Sequence, residues 1–351
     1  MRPDDSRPKI LLTDALHPEA EAELRAVATV ATLDPTLDTA TAVKALYAEV
    51  QDAQGLIVRR QLPGDLFDQP NTLRGVVRHG VGLDFIPVDS ATRHGLPVAN
   101  TPEVNANAVA EYAITAMLEG ARRFRHFDQQ VREGNWGVRK TAGSSTFELK
   151  GRKLGIVGFG AIGKRIAQIA MGGFDMHVAA HTRSPSRLPG NIAALALEEL
   201  FERCDFIVVA CPLTEHTRGM LNSKVFAHAK TGLILINVGR GPVINEPDLV
   251  QALESGRIAG AALDVFTTQP LPMDSRLRAH PNVTLTPHLA GTTGDAELAM
   301  GMMAASTVLA LIRGERPANI VNPECFANRE PLSVTSTTPW RPCSSACRQP
   351  M

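Results

Sequence analysis

Short apolar runs alternate with amphipathic stretches along most of the chain. Ile10-Leu-Leu-Thr13, Gly55-Leu-Ile-Val58, Leu73-Arg-Gly-Val-Val77 and Pro97-Val-Ala-Asn100 read as strands, and Pro18 to Ala28 as a helix. Strands alternating with helices predict a parallel sheet covered by helices. Two further helices are predicted over Val104 to Arg122 and Phe124 to Glu133. A second series opens at Lys153-Leu-Gly-Ile-Val157. It continues through His177–His181, Phe206–Ala210, Leu233–Asn237, Ala261–Asp264 and Val283–Thr286. Five strands after the first predict a six-stranded doubly wound sheet. The apolar run Leu298 to Ile312 holds Ser306 and Thr307 and is shorter than the ~20 residues of a membrane span. It is expected to be a buried helix packed back on the first series. The pattern therefore predicts an α/β chain of two domains, with residues 103–290 inserted between 1–102 and 291–325. Residues 326–351 are polar and Pro-rich, and read as a disordered tail.

Composition narrows the class. At 351 residues, 44% hydrophobic and 21% charged, the chain has the make-up of a soluble globular protein. Lys plus Arg and Asp plus Glu are 36 each, so no electrostatic footprint favours nucleic acid or an anionic membrane as partner. Met1 to Ile10 carry no apolar signal core. Cys204, Cys211, Cys325, Cys343 and Cys347 lack metal-ligand spacing. They read as reduced thiols in the cytoplasm, and no metal is expected.

The densest chemical signal is Gly158-Phe159-Gly160-Ala161-Ile162-Gly163, between the strand Lys153–Val157 and a helix beginning near Lys164. A strand, then G-x-G-x-x-G, then a helix indicates dinucleotide binding. The first glycine permits the turn, the second lets backbone approach a pyrophosphate, and the third lets helix pack on strand. Three later strand ends carry Asn237-Val-Gly-Arg-Gly241, Asp264-Val-Phe-Thr-Thr-Gln-Pro270 and Thr286-Pro-His-Leu-Ala-Gly291, and an earlier one carries Arg78-His-Gly-Val-Gly-Leu-Asp84. This ordered set resembles the D-isomer-specific 2-hydroxyacid dehydrogenase family over residues of about 10 to 325.

The resemblance implies a Rossmann-type cofactor domain inserted into a smaller flavodoxin-like substrate domain. It also implies an active site in the cleft and a homodimer formed through the segment of roughly 100–150. It implies a small 2-keto or 2-hydroxy acid as substrate, of the glyoxylate or hydroxypyruvate type. Arg240 then holds carboxylate and carbonyl through its planar fork, and His288 exchanges the proton. Gly80, Val81 and Gly82 are expected to offer backbone N–H groups to the substrate carboxylate. Arg59 reads either as a contact to the distal end of the substrate or as an exposed arginine. His79 lies near the substrate loop without an assigned role. Asp264 is expected to accept from the nicotinamide carboxamide. Cys211, Pro212, Thr217, Val238, Gly239 and Gly291 are expected along the cofactor.

Two departures from the family pattern matter. Most members place Glu where this chain has Gln269, and a neutral amide stabilises imidazolium much less than a carboxylate. A Gln–His pair also resembles formate dehydrogenases, which keeps hydride abstraction from formate open. The second departure lies about 20 residues past the glycines, where NAD enzymes carry an acid. Here stand Thr182, Arg183 and Ser184, followed by Arg187. Two guanidiniums and two hydroxyls suit a 2′-phosphate, so NADP(H) is expected over NAD(H). A reading from another class, a dinucleotide-sensing regulatory protein, fits less well with both Arg240 and His288 present.

Overall fold

The computed structural model describes residues 7–328. Two parallel sheets organise it. The first comprises β1 (Lys9–Leu12), β2 (Thr29–Thr32), β3 (Gly55–Val58), β4 (Gly75–Arg78) and β5 (Val98–Ala99), in the order β2-β1-β3-β4-β5. The second comprises β6 (Lys153–Val157), β7 (His177–His181), β8 (Ala193–Ala194), β9 (Phe206–Val209), β10 (Ile234–Asn237), β11 (Gly260–Leu263) and β12 (Val283–Leu285). Its order is β12-β11-β10-β9-β6-β7-β8.

The second sheet has seven strands, not the six expected from the apolar runs. The extra one, β8, is a two-residue edge strand paired with β7 through Ala179 and Ala193. Both its residues are exposed, so it has no hydrophobic signature to read. In the first sheet the apolar pattern likewise misses β2: Thr29-Val-Ala-Thr32 buries only Val30.

The central strands are buried throughout, at all four residues of β3, β9, β10 and β11. A sheet covered on both faces requires such strands. The helix Gly294–Ile312 packs against β3, β4 and the helix Pro18–Val27, returning the chain to the first sheet. Contact is close enough that a Cβ at Gly75 would lie 2.5 Å from that of Leu311. Asn322 then ties the chain end down. It accepts from Val98 N–H and donates to Leu96 O and Thr92 Oγ1. Residues 326–328 close a 3-10 turn, with Arg316 over the Phe326 ring. Residues 329–351 of the expected tail lie outside the described residues.

The helix Ala106–Arg122 crosses from the first sheet to the second and buries Val109, Ala113, Ile114 and Met117. Beyond it, the segment expected to pair two copies shows Phe124, Val131 and Trp136 to solvent. The strand order of the second sheet reverses between β6 and β9, and such switch points form ligand crevices at strand carboxyl ends. The glycine run follows β6 there, facing the loops after β3 and β4 of the first sheet.

Candidate active site in the cleft

The glycine run fits a dinucleotide by its steric pattern. Gly158 has φ +96°, and a Cβ there would meet Cys211 backbone at 2.7 Å. At Gly163 a Cβ would fall 2.4 Å from Gly158 O. At Gly160 nothing lies within 4 Å, which leaves an open approach for a ligand. Gly160 starts the helix Ala161–Phe174, and no side chain caps it. Its first N–H groups are therefore left for an anion. Burial pushes the Cys211 thiol up to about 11, which makes this cysteine a packing residue beside the turn. Thr217 donates its hydroxyl to Pro212 O at 2.8 Å and so shapes the loop after β9. Past β7, Arg183, Ser184 and Arg187 are exposed and Thr182 half-buried. Neither arginine has an ion-pair partner among the described residues.

Arg240 follows β10. The buried Asn237 pins this turn, accepting from Gly239 N–H and donating to Arg240 O. The guanidinium donates Nη1 to Gly239 O at 2.8 Å and Nε to Asp84 at 2.7 Å. Asp84 belongs to the loop after β4, so this pair joins the two sheets' loops across the cleft. Nη2 then faces Gly82, where a Cβ would lie only 1.5 Å from it.

The loop beneath that guanidinium is held by hydrogen bonds from both sides. Thr101 Oγ1 takes the Gly80 N–H, and Gly80 is thus occupied rather than available for substrate. Asn100 donates to Val81 O, and Arg78 donates Nε to Gly82 O. No acceptor among the described residues takes the N–H of Val81 or Gly82. Arg78 also donates to Val58 O and lies over the Phe85 ring. Burial, then the charges of Arg240 and Arg59, push it down to about 10.

His288 sits on the opposite wall in a left-handed conformation, φ +55°. Its N–H donates to Asp264 O, and the buried Asp264 carboxylate holds the turn, accepting from Thr286 Oγ1, Leu289 N–H and Ala290 N–H. These bonds account for three of the carboxylate's acceptor positions. Asp264 also lines the cleft. Gln269 donates Nε2 to Phe266 O at 3.4 Å, which turns its Oε1 toward His288 Nδ1 at 3.0 Å. Nδ1 must then carry hydrogen, and Nε2 is the atom left for proton exchange. The residue is exposed at the cleft mouth, yet desolvation, followed by Arg240, holds the imidazole below its ordinary range.

The cleft between these groups has a volume of about 300 Å³ and collects Arg59, His79, Val81, Gly82, Val238, Arg240, Asp264, His288 and Gly291. Two buried side-chain atoms among the described residues lack a hydrogen-bond partner: His79 Nε2 and Asn105 Oδ1. Both residues line this cleft. Asn105 and Glu297 lie outside the motifs read from the sequence, whereas Arg78, Asp84 and Asn237 lie within them without an assigned role.

A family model for the D-isomer specific 2-hydroxyacid dehydrogenase NAD binding domain matches residues 114–290. Glyoxylate reductase of Aeropyrum pernix is 36% identical over 93% of this chain and 99% of its own length. The chain belongs to the D-isomer specific 2-hydroxyacid dehydrogenase family. It is therefore an NAD(P)-dependent oxidoreductase on that family's two-domain fold. D-3-phosphoglycerate dehydrogenase of Rattus norvegicus is also 36% identical, over 84% of this dehydrogenase but only 55% of the rat enzyme. Among solved structures, an NADPH-dependent glyoxylate/hydroxypyruvate reductase of Sinorhizobium meliloti, in complex with NADP and malonate, superposes with a TM-score of 0.78. It is 32% identical, covering 93% of this chain and all of that one.

Proposed function

We propose that this dehydrogenase reduces a small 2-keto acid, glyoxylate or hydroxypyruvate, to the D-2-hydroxy acid, with NADPH preferred. The observation carrying this reading is the convergence on one cleft of the Arg240 fork, the free Val81 and Gly82 N–H groups, and His288 Nε2. A substrate carboxylate has charge-assisted donors on two sides. The same guanidinium polarises the keto oxygen as negative charge builds on it. His288 Nε2 then protonates that oxygen. The Gly158–Gly163 turn and the helix start at Ala161 would hold the dinucleotide, which when bound would supply the hydride.

The NADPH preference rests on Arg183 and Arg187, exposed and unpaired beyond β7 among the described residues, with Thr182 and Ser184 beside them. Steady-state kinetics with glyoxylate should give kcat/KM at least about tenfold higher with NADPH than with NADH, a charge-assisted phosphate contact being worth roughly that factor. Equal or better efficiency with NADH would overturn the preference. Formate with NADP belongs in the same assay, because the Gln269–His288 contact favours it as a second reading. Turnover of formate without turnover of keto acids would replace the proposal.

Gln269 sets the pH range. Reduction needs imidazolium, so its rate falls as pH rises through the His288 pKa, which lies below the ordinary value. Gln269→Glu puts a carboxylate at Nδ1 and stabilises imidazolium. The falling limb of kcat for reduction should therefore move to higher pH, and an unmoved limb would contradict the assignment.

A further inference from the structure

Arg59 and Glu297 form an ion pair inside the cleft that bonds to neither Arg240 nor His288. Arg59, just past β3, donates Nη1 to Ala15 O at 2.7 Å and Nη2 to Glu297 Oε1 at 2.6 Å. The two side chains are 27% and 24% exposed, so the pair is partly desolvated but reachable from the cleft. Glu297 comes from the first turn of the helix Gly294–Ile312, and the pair thus bridges that helix to the first sheet. Next to it is His79, whose Nε2 has no partner. Burial, then Arg59 and Arg78, push this histidine down to about 4, and it is neutral near pH 7.

The neighbouring acids are engaged elsewhere. Asp84 takes Arg240 Nε, and Asp14 is bound by Arg60 through Nε and Nη2. Arg59 is thus a cleft cation whose charge is matched by its own carboxylate. Small 2-keto acids differ chiefly in the group beyond the keto carbon: hydrogen, a hydroxymethyl group, or a chain ending in a second acid. A second acid reaches Arg59 only by displacing Glu297, which leaves a partly buried carboxylate beside another anion. A neutral hydroxyl meets no such conflict, and Glu297 can accept its hydrogen bond.

We propose that Glu297 is a specificity-determining residue: by occupying Arg59 it rejects 2-keto acids bearing a second acidic group and favours tails that are hydrogen or hydroxyl-bearing. This rests on the keto-acid reductase reading. It names a repulsive element, and discrimination between similar ligands often depends on one.

The test compares kcat/KM for glyoxylate and oxaloacetate in wild type, Glu297→Gln, and the double variant Glu297→Gln with Arg59→Met. Glutamine keeps the size and removes the charge. The oxaloacetate-to-glyoxylate ratio should rise about tenfold or more in Glu297→Gln, and the added Arg59→Met should cancel the gain. An unchanged ratio in a variant that still reduces glyoxylate overturns the proposal, as does a gain that survives loss of Arg59. A lowered Tm with an unchanged ratio marks a purely structural pair and overturns it too. Absence of turnover of either acid by wild type is a different result: it overturns the reductase reading itself.

Discussion

Arg240→Gln is expected to lower kcat/KM for glyoxylate about 10³-fold while leaving the fold intact. The size reflects the number of tasks one guanidinium performs. Its Nη2 faces Gly82, and on the proposed reading it both binds the carboxylate and meets the charge that develops on the keto oxygen. Arg240→Lys should recover little, because an ammonium cannot present a planar fork to carboxylate and carbonyl together. The folding cost should be small. Asp84, which loses its partner, is already 39% exposed, and surface pairs of this kind contribute roughly 0–1 kcal/mol. Steady-state kinetics and a thermal melt decide the matter. Activity within tenfold of wild type, or a collapsed melt explaining the loss, would remove Arg240 from its assigned role.

His288→Asn is expected to lower kcat for reduction by about 10²- to 10⁴-fold, the usual contribution of a positioned acid or base. Asparagine is chosen because residue 288 has φ +55°, a region that Asn tolerates better than most residues. The Asp264 carboxylate would still hold the turn through Leu289 and Ala290 N–H. The loss should therefore report chemistry and not a broken loop. A second signature distinguishes the two: the fall in rate with rising pH should vanish, because the titrating imidazolium is gone. A variant that retains the wild-type pH profile would show that another group supplies the proton.

Features with a local signature are legible in the sequence. The glycine run, its strand and its helix are contiguous, and the close approaches at Gly158 and Gly163 match the roles those positions predict. Arg240 and His288 come just after strands whose apolar runs are unmistakable, and parallel strands deliver their carboxyl ends to one edge. Long-range and half-exposed features escape. Asp84 meets Arg240 across 156 positions, and Glu297 meets Arg59 across 238. No spacing in the chain announces such pairs. β8 and β2 are edge strands without an apolar run, β8 exposed at both residues and β2 burying only Val30. By sequence Gly80 resembles a substrate donor, because nothing in its neighbours reveals that Thr101, on the far side of β5, takes its N–H. Asp264 shows a local role that its strand-end position could not: its carboxylate builds the turn that carries His288.

On the proposed reading, this cleft directs hydride to C2 of a 2-keto acid that Arg240 holds and His288 protonates. The most direct test supplies NADPH deuterated at both C4 positions together with hydroxypyruvate, and analyses the product by NMR and chiral chromatography. The expected product is D-glycerate with deuterium at C2. Unlabelled product, the L enantiomer, or no oxidation of NADPH would contradict that reading.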